Sequence, residues 1–129
     1  MASREFFGHF KFYYLWQVNI EELRDFCLTL TAVTEDIKWG NNLVFSVGGK
    51  MFCLADLDPP FQVSFKVTEE EFDVLTITAD IIQAPYFARM KWVKVLDEGR
   101  LSRDEWEFYI RQSYDQIVAK LPKKIKENL

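Results

Sequence analysis

The feature of this 129-residue sequence that most constrains its fold is a helix-start signal that occurs three times. At each place Asn, Thr or Ser is followed three positions later by Glu. In this capping-box pattern the two side chains satisfy backbone N–H groups of the first helical turn. The pairs are Asn19 with Glu22, Thr68 with Glu71, and Ser102 with Glu105. Apolar residues suited to a hydrophobic staple flank each pair, so the sequence predicts three helices that begin at these positions.

Apolar residues at every second position indicate strands between the first two predicted helices. Residues 43–47 and 50–55 flank Gly48 and Gly49, a pair suited to a tight two-residue hairpin turn because glycine tolerates positive φ angles. Pairing through this turn places four apolar side chains on one face, which we expect to be the core face: Leu43, Phe45, Phe52 and Leu54.

Two further strands are predicted at residues 61–67 and 91–96, and Pro122 is expected to end the third helix because proline cannot continue the hydrogen-bond ladder. The element order is then α-β-β-β-α-β-α. With antiparallel hairpins and helices packed on one face of a small sheet, this order predicts an α+β fold.

The length fits one domain, which we place at residues 18–129, after an aromatic-rich N-terminal extension at residues 1–17. Seven of the first sixteen residues are aromatic: Phe6, Phe7, Phe10, Phe12, Tyr13, Tyr14 and Trp16. So much apolar surface has to be covered. The extension is therefore predicted to pack either on the domain or on a partner subunit, and the second alternative gives a homodimer.

Several function classes are disfavoured by the residues that are scarce. His9 is the only histidine, and Cys27 and Cys53 are far apart in sequence, so no zinc site of ordinary spacing is predicted. The two cysteines are expected to be buried thiols in a reducing compartment. No catalytic constellation, cofactor motif or membrane span is visible, and we expect a cytoplasmic protein that is not an enzyme.

Past residue 17 the chain resembles the MmcQ/YjbR family. The matching stretches are Ile20–Leu30, Val33–Asp36, Leu43–Asp58 and Ser113–Lys124, together with Trp92. The resemblance implies a frataxin-like (CyaY-like) α+β fold and a DNA-binding protein with a double-wing surface, and it brings no catalytic residues. Where the family usually has Asn-Lys-x-His-Trp, this chain keeps a positive charge but lacks the Asn and the His: Ala88-Arg89-Met90-Lys91-Trp92.

The first candidate site combines three cations with an aromatic ring: Arg89, Lys91, Trp92 and Lys94. If Val93 and Val95 face the core, strand alternation sends Trp92 and Lys94 to the opposite face. An exposed indole beside cations suits nucleic acid, since the cations meet phosphates and the ring stacks on a base. The alternative is that Trp92 packs under a helix while the cations protect an exposed edge strand.

Two further groups of basic residues can be explained either by a function or by structure alone. Lysines around Pro122 either contact phosphate or complement the dipole at a helix C-terminus: Lys120, Lys123, Lys124 and Lys126. Lys50, after the two glycines, either contacts phosphate from a wing-like hairpin tip or belongs to an ordinary turn. The acidic residues Asp56, Asp58 and Glu69 to Glu71 are not taken as a metal site, because negative charge at a helix start is stabilising by itself.

The leading functional hypothesis is a small DNA-binding module that uses a basic-aromatic face: Lys50, Arg89, Lys91, Trp92, Lys94, Lys120, Lys123 and Lys124. A net charge of −4 disfavours nucleic-acid binding by the whole surface, so the hypothesis needs a local basic patch. The alternative from another class is a protein–protein interaction domain or homodimer built on the aromatic N-terminal segment and Trp39.

Overall fold

The computed structural model describes residues 18–129, and the predictions made for residues 1–17 lie outside the described part of the chain. The helices within it are α1 (Ile20–Thr29), α2 (Glu69–Leu75), α3 (Arg103–Ala119) and α4 (Lys123–Glu127). The strands are β1 (Val33–Lys38), β2 (Asn42–Val47), β3 (Lys50–Asp56), β4 (Val63–Lys66), β5 (Ile81–Gln83) and β6 (Trp92–Val95). None of these helices has the length and apolar character needed to cross a membrane.

The six strands form one antiparallel sheet in the order β1-β2-β3-β4-β6-β5. The predicted α+β class is confirmed, but the predicted element order was incomplete because β1, β5 and the short helix α4 were missed. Five of the six residues of β1 are exposed, so this edge strand lacks the alternating apolar pattern that reveals a half-buried strand. Strand β5 has only three residues, too few to show any period.

All three predicted helix starts are confirmed by complete capping boxes. The Asn19 side chain accepts a hydrogen bond from the Glu22 backbone N–H at 2.9 Å, and the Glu22 carboxylate accepts one from the Asn19 N–H at 3.3 Å. The same reciprocal pairs stand at Thr68 and Ser102. Helix α3 ends before Pro122, as predicted, and this proline then occupies the N-cap of α4.

The core lies between the sheet and the long helix α3, which packs across β3 and β4. Trp106 and Ile110 are almost fully buried on this face of the helix, and the Phe65 ring of β4 meets Trp106 edge-on at a centroid distance of 6.1 Å. Buried Ser113 ties the helix to two strands. Its hydroxyl donates to the Phe52 carbonyl at 2.6 Å and accepts from the Lys66 N–H at 3.0 Å.

A bulge in the β2–β3 hairpin changes one prediction about the core. The register shifts between Phe45 and Ser46, so that Phe45 pairs with Cys53 rather than with Phe52. The extra residue reverses the alternation beyond it. Phe52 therefore stays in the core, whereas Leu54, predicted on the core face, lies on the opposite face of the sheet and is half-buried.

Candidate nucleic-acid interface

One end of the sheet carries a cleft of about 680 Å³, which we call the basic cleft. The antiparallel order brings the start of β3, the end of β4 and the start of β6 to this end, and the C-terminus of α3 closes it. Five cationic side chains line the cleft: Lys50, Lys66, Arg89, Lys91 and Lys120. Apolar side chains form the rest of the lining: Met51, Phe87, Met90, Trp92, Ile117 and Leu121.

Among residues 18–129, no carboxylate forms an ion pair with the cations of the basic cleft. Of the lining residues that the structure describes, none is Asp or Glu. Within residues 18–129 none of the five cations forms an ion pair, whereas Arg24, Lys94 and Arg103 each meet a carboxylate. Five positive charges without counter-charges form a local basic field on a protein whose net charge is −4.

Lys66 is one of the two cleft cations that are half-buried, together with Lys91. It ends β4, and its Nζ donates a hydrogen bond to the Met90 carbonyl at 2.6 Å. Burial lowers the pKa of Lys66 below its ordinary value, and the positive charges of Lys120 and Lys91 lower it further. An anion bound in the cleft would offset the repulsion among these three ammonium groups.

Lys91 is held in an uncommon backbone conformation. It caps the 3-10 turn Ala88–Met90 with a left-handed φ of 63°, its N–H donates to the Ala88 carbonyl at 2.9 Å, and its carbonyl accepts from the Val67 N–H at 2.9 Å. Its Nζ lies 4.8 Å from the centroid of the Phe72 ring, within cation–π distance. The backbone and the ring together position this ammonium at the cleft.

Of the two alternatives stated for Trp92, the exposed indole is wrong. Trp92 is only 3% exposed and packs against Phe87 at a ring-centroid distance of 5.6 Å. The alternation that placed Trp92 opposite Val93 is correct, but the segment between β5 and β6 folds back over this part of the face. Trp92 therefore contributes an apolar wall to the cleft and offers no open ring face for stacking.

The other predicted residues divide between the cleft and its surroundings. The structure brings Lys50, Arg89, Lys91 and Lys120 together, although they come from three separate clusters in the sequence. Three predicted lysines do not line the cleft: Lys94, Lys123 and Lys124. Lys94 pairs with Asp56 at 3.4 Å, and Lys123 lies 3.9 Å from Glu127 on exposed α4.

Lys66 was missed by the sequence reasoning, which treated it as an ordinary solvent-facing residue of an alternating strand. Its position in the cleft depends on the pairing of β4 with β6, where Lys66 stands opposite Trp92. No local pattern specifies that pairing. The available signal was the position of Lys66 at the end of a predicted strand. The other lysine clusters of the chain also lie at the ends of strands and helices.

The fold and the basic cleft define a small α+β domain with an antiparallel sheet and a cation-lined cleft at one end. The YjbR family model matches residues 28–116, and the chain belongs to this family. The resemblance stated from the sequence is thereby confirmed.

Two solved structures share the fold. A Deinococcus radiodurans protein, DR2400, with a DUF419 domain is 24% identical, with 88% of each chain covered and a TM-score of 0.78. A Pseudomonas syringae protein is 19% identical, with 77% of this chain and 98% of the other covered, and a TM-score of 0.65. No curated protein matches the chain.

Proposed function

We propose that this protein is a nucleic-acid-binding module that holds phosphate groups in the basic cleft, and that it acts in the cytoplasm without catalysing a reaction. The observation that carries the proposal is the set of five cleft cations without a carboxylate partner among the described residues. Lysine and arginine that face phosphates in this way release condensed counterions, which supplies most of the affinity of such contacts.

The arrangement of the cations favours an extended polyanion over a single small anion. They come from four parts of the fold: the β2–β3 hairpin, the end of β4, the segment before β6 and the end of α3. A single phosphate group can contact only some of them. A nucleic-acid backbone presents a series of phosphates, so that successive groups can meet successive cations.

The test is fluorescence anisotropy of labelled DNA with the full-length protein and a Lys50→Gln/Lys120→Gln variant. Both side chains are exposed, so the variant should fold normally. Losing two phosphate contacts should weaken binding and lower the slope of log affinity against log salt, by about 1.4 for single-stranded and about 1.8 for duplex DNA.

A matched control is Lys123→Gln/Lys124→Gln, which removes the same charge from exposed positions outside the cleft. In this variant we expect the slope of log affinity against log salt to change by less than about 0.4, which is half the contribution of one phosphate contact. Equal losses in the two variants would show that net charge rather than the basic cleft governs binding. No binding of any DNA by the wild-type protein at low salt would overturn the proposal.

The protein–protein alternative retains one supporting observation. Trp39, one of its two predicted components, is 62% exposed, while the aromatic N-terminal segment lies outside the described residues. A homodimer through that segment stays a prediction, and a mass that rises with protein concentration would support it.

A further inference from the structure

A second concavity, the aromatic groove, lies on the face of the sheet opposite α1 and α3 and has a volume of about 580 Å³. Leu54, Ser64 and Lys94 stand side by side on neighbouring strands β3, β4 and β6 and contribute to its floor. Its walls are aromatic side chains from two connecting segments: Trp39 from the β1–β2 turn, and Tyr86 and Phe87 from the β5–β6 connection.

The walls hold large aromatic rings at the surface. Trp39 is 62% exposed and Tyr86 is 97% exposed. Both have left-handed backbone conformations, with φ of 51° and 71°, which are uncommon for bulky residues. The Asn42 side chain donates to the Trp39 carbonyl at 3.2 Å and fixes this turn at the groove. These exposed rings are available for stacking on a flat ligand.

The floor carries a partly exposed ion pair that an apolar occupant would remove from water. Asp56 and Lys94 form an ion pair at 3.4 Å, and both side chains are only partly exposed. An aliphatic side chain of a bound peptide would bury this pair against hydrocarbon, which is costly. A nucleobase has two stacking faces and an edge with hydrogen-bond donors and acceptors, which the Asp56 carboxylate and the Lys94 ammonium can meet.

The aromatic groove adjoins the basic cleft, because Phe87 lines both. A strand that runs from the cleft past Phe87 would place a base in the groove. In a duplex the bases are stacked inside the helix and are not available to such a site. We propose that the ligand is a single-stranded nucleic acid, with phosphates in the basic cleft and a base stacked in the aromatic groove. This inference rests on the proposed function and narrows its ligand to single strands.

The test compares a short labelled single-stranded DNA with the same strand carrying abasic residues at its inner positions, using full-length protein and anisotropy. The variants are Trp39→Gly and Tyr86→Gly, because glycine accepts the left-handed φ of both positions. Loss of one stacking contact should weaken binding of the base-bearing strand about 5- to 150-fold. Binding of the abasic strand, which keeps its phosphates, should change less than about twofold.

Phe108→Ala is the matched control, because Phe108 is 55% exposed on α3, on the other side of the sheet. It should leave both affinities unchanged. If base-bearing and abasic strands bind equally, or the groove variants weaken both to the same degree, the inference is overturned while phosphate binding in the cleft stands. If the protein binds neither strand, the inference is overturned, and the proposed function is overturned with it only when duplex DNA is not bound at low salt either.

Discussion

Lys66 stands at the last position of β4, where strand alternation turns it away from the helix-packed core and its pairing with Trp92 brings it into the basic cleft. Its ammonium is partly buried, and it donates to a backbone carbonyl rather than to a carboxylate. The lowered pKa of Lys66 follows from burial first and from Lys120 and Lys91 second. A bound phosphate would reverse this shift, because it stabilises the charged form.

This shift predicts a pH dependence of ligand binding. Lys66 loses its proton at lower pH than an ordinary lysine, so DNA affinity should begin to fall as the pH rises toward the usual lysine pKa. A charge-assisted hydrogen bond contributes about 1.5–3 kcal/mol, which sets the largest loss at about 10- to 150-fold. Anisotropy between pH 7 and 9.5 checks this with an adenine–cytosine strand, whose bases do not ionise in that range.

Lys66→Arg is the control for this experiment, because arginine stays protonated throughout. Its affinity should be flatter with pH than that of the wild-type protein. Parallel pH profiles for the two proteins would show that Lys66 is not the group that titrates.

At the level of the elements, the C-terminal part of the chain packs on the tip of the β2–β3 hairpin. Gly48 and Gly49 form the turn with φ of 60° and 81°, as the predicted two-residue hairpin requires. A methyl group on Gly48 would lie 2.6 Å from Leu121 Cδ1 and 3.0 Å from Ile125 Cγ2, whereas one on Gly49 would meet nothing within 4 Å. The hairpin is therefore a supported wall of the cleft, with Lys50 exposed beside it.

These contacts predict unequal effects for two otherwise similar substitutions. Gly49→Ala should cost about 1–2 kcal/mol of the free energy of unfolding, the penalty of a left-handed alanine. Gly48→Ala should cost roughly 1–2 kcal/mol more, because the added methyl group displaces Leu121 and Ile125 from the turn. Urea denaturation followed by circular dichroism measures both. Equal losses would mean that α4 does not pack on the hairpin in solution.

The elements that could be predicted from the sequence are those specified by local chemistry. Capping boxes, the glycine turn and the proline stop act over a few residues, and each was located correctly. The exposed edge strand β1 and the three-residue β5 were missed, because the sheet, and not their own sequence, holds them in place. The buried thiols of Cys27 and Cys53 were also predicted correctly, and the structure shows both as free and buried.

Only part of the candidate site could be predicted, because strand pairing and helix packing bring its residues together from distant positions in the sequence. The cations of residues 89–91 and Lys120 were recognised as separate clusters, and only the fold shows that they share a cleft. The burial of Trp92 was foreseen as an alternative, beneath a helix, but the packing of Phe87 against its ring could not be read from the sequence. The aromatic groove went unrecognised for the same reason: its walls come from residues 39 and 86–87, on two separate connections.

For the whole molecule, the distribution of charge matters more than its sum. The net charge of −4 makes most of the surface unfavourable for nucleic acid, so the proposed binding site is the end of the sheet where five cations lack acidic partners among the described residues. Such a molecule should bind nucleic acid weakly and with strong salt dependence. The property to be tested is therefore the place on the surface where nucleic acid binds.

The measurement that tests this claim most directly is nitrogen-15 NMR of the full-length protein, titrated with single-stranded DNA at low salt. We expect the largest shifts to fall on backbone amides at the basic cleft, around Lys50, Lys66, Lys91 and Lys120, with smaller shifts extending to the aromatic groove. Salt should reverse these shifts. Shifts centred on α1 or on the outer face of α3, or an unchanged spectrum at excess DNA, would contradict it.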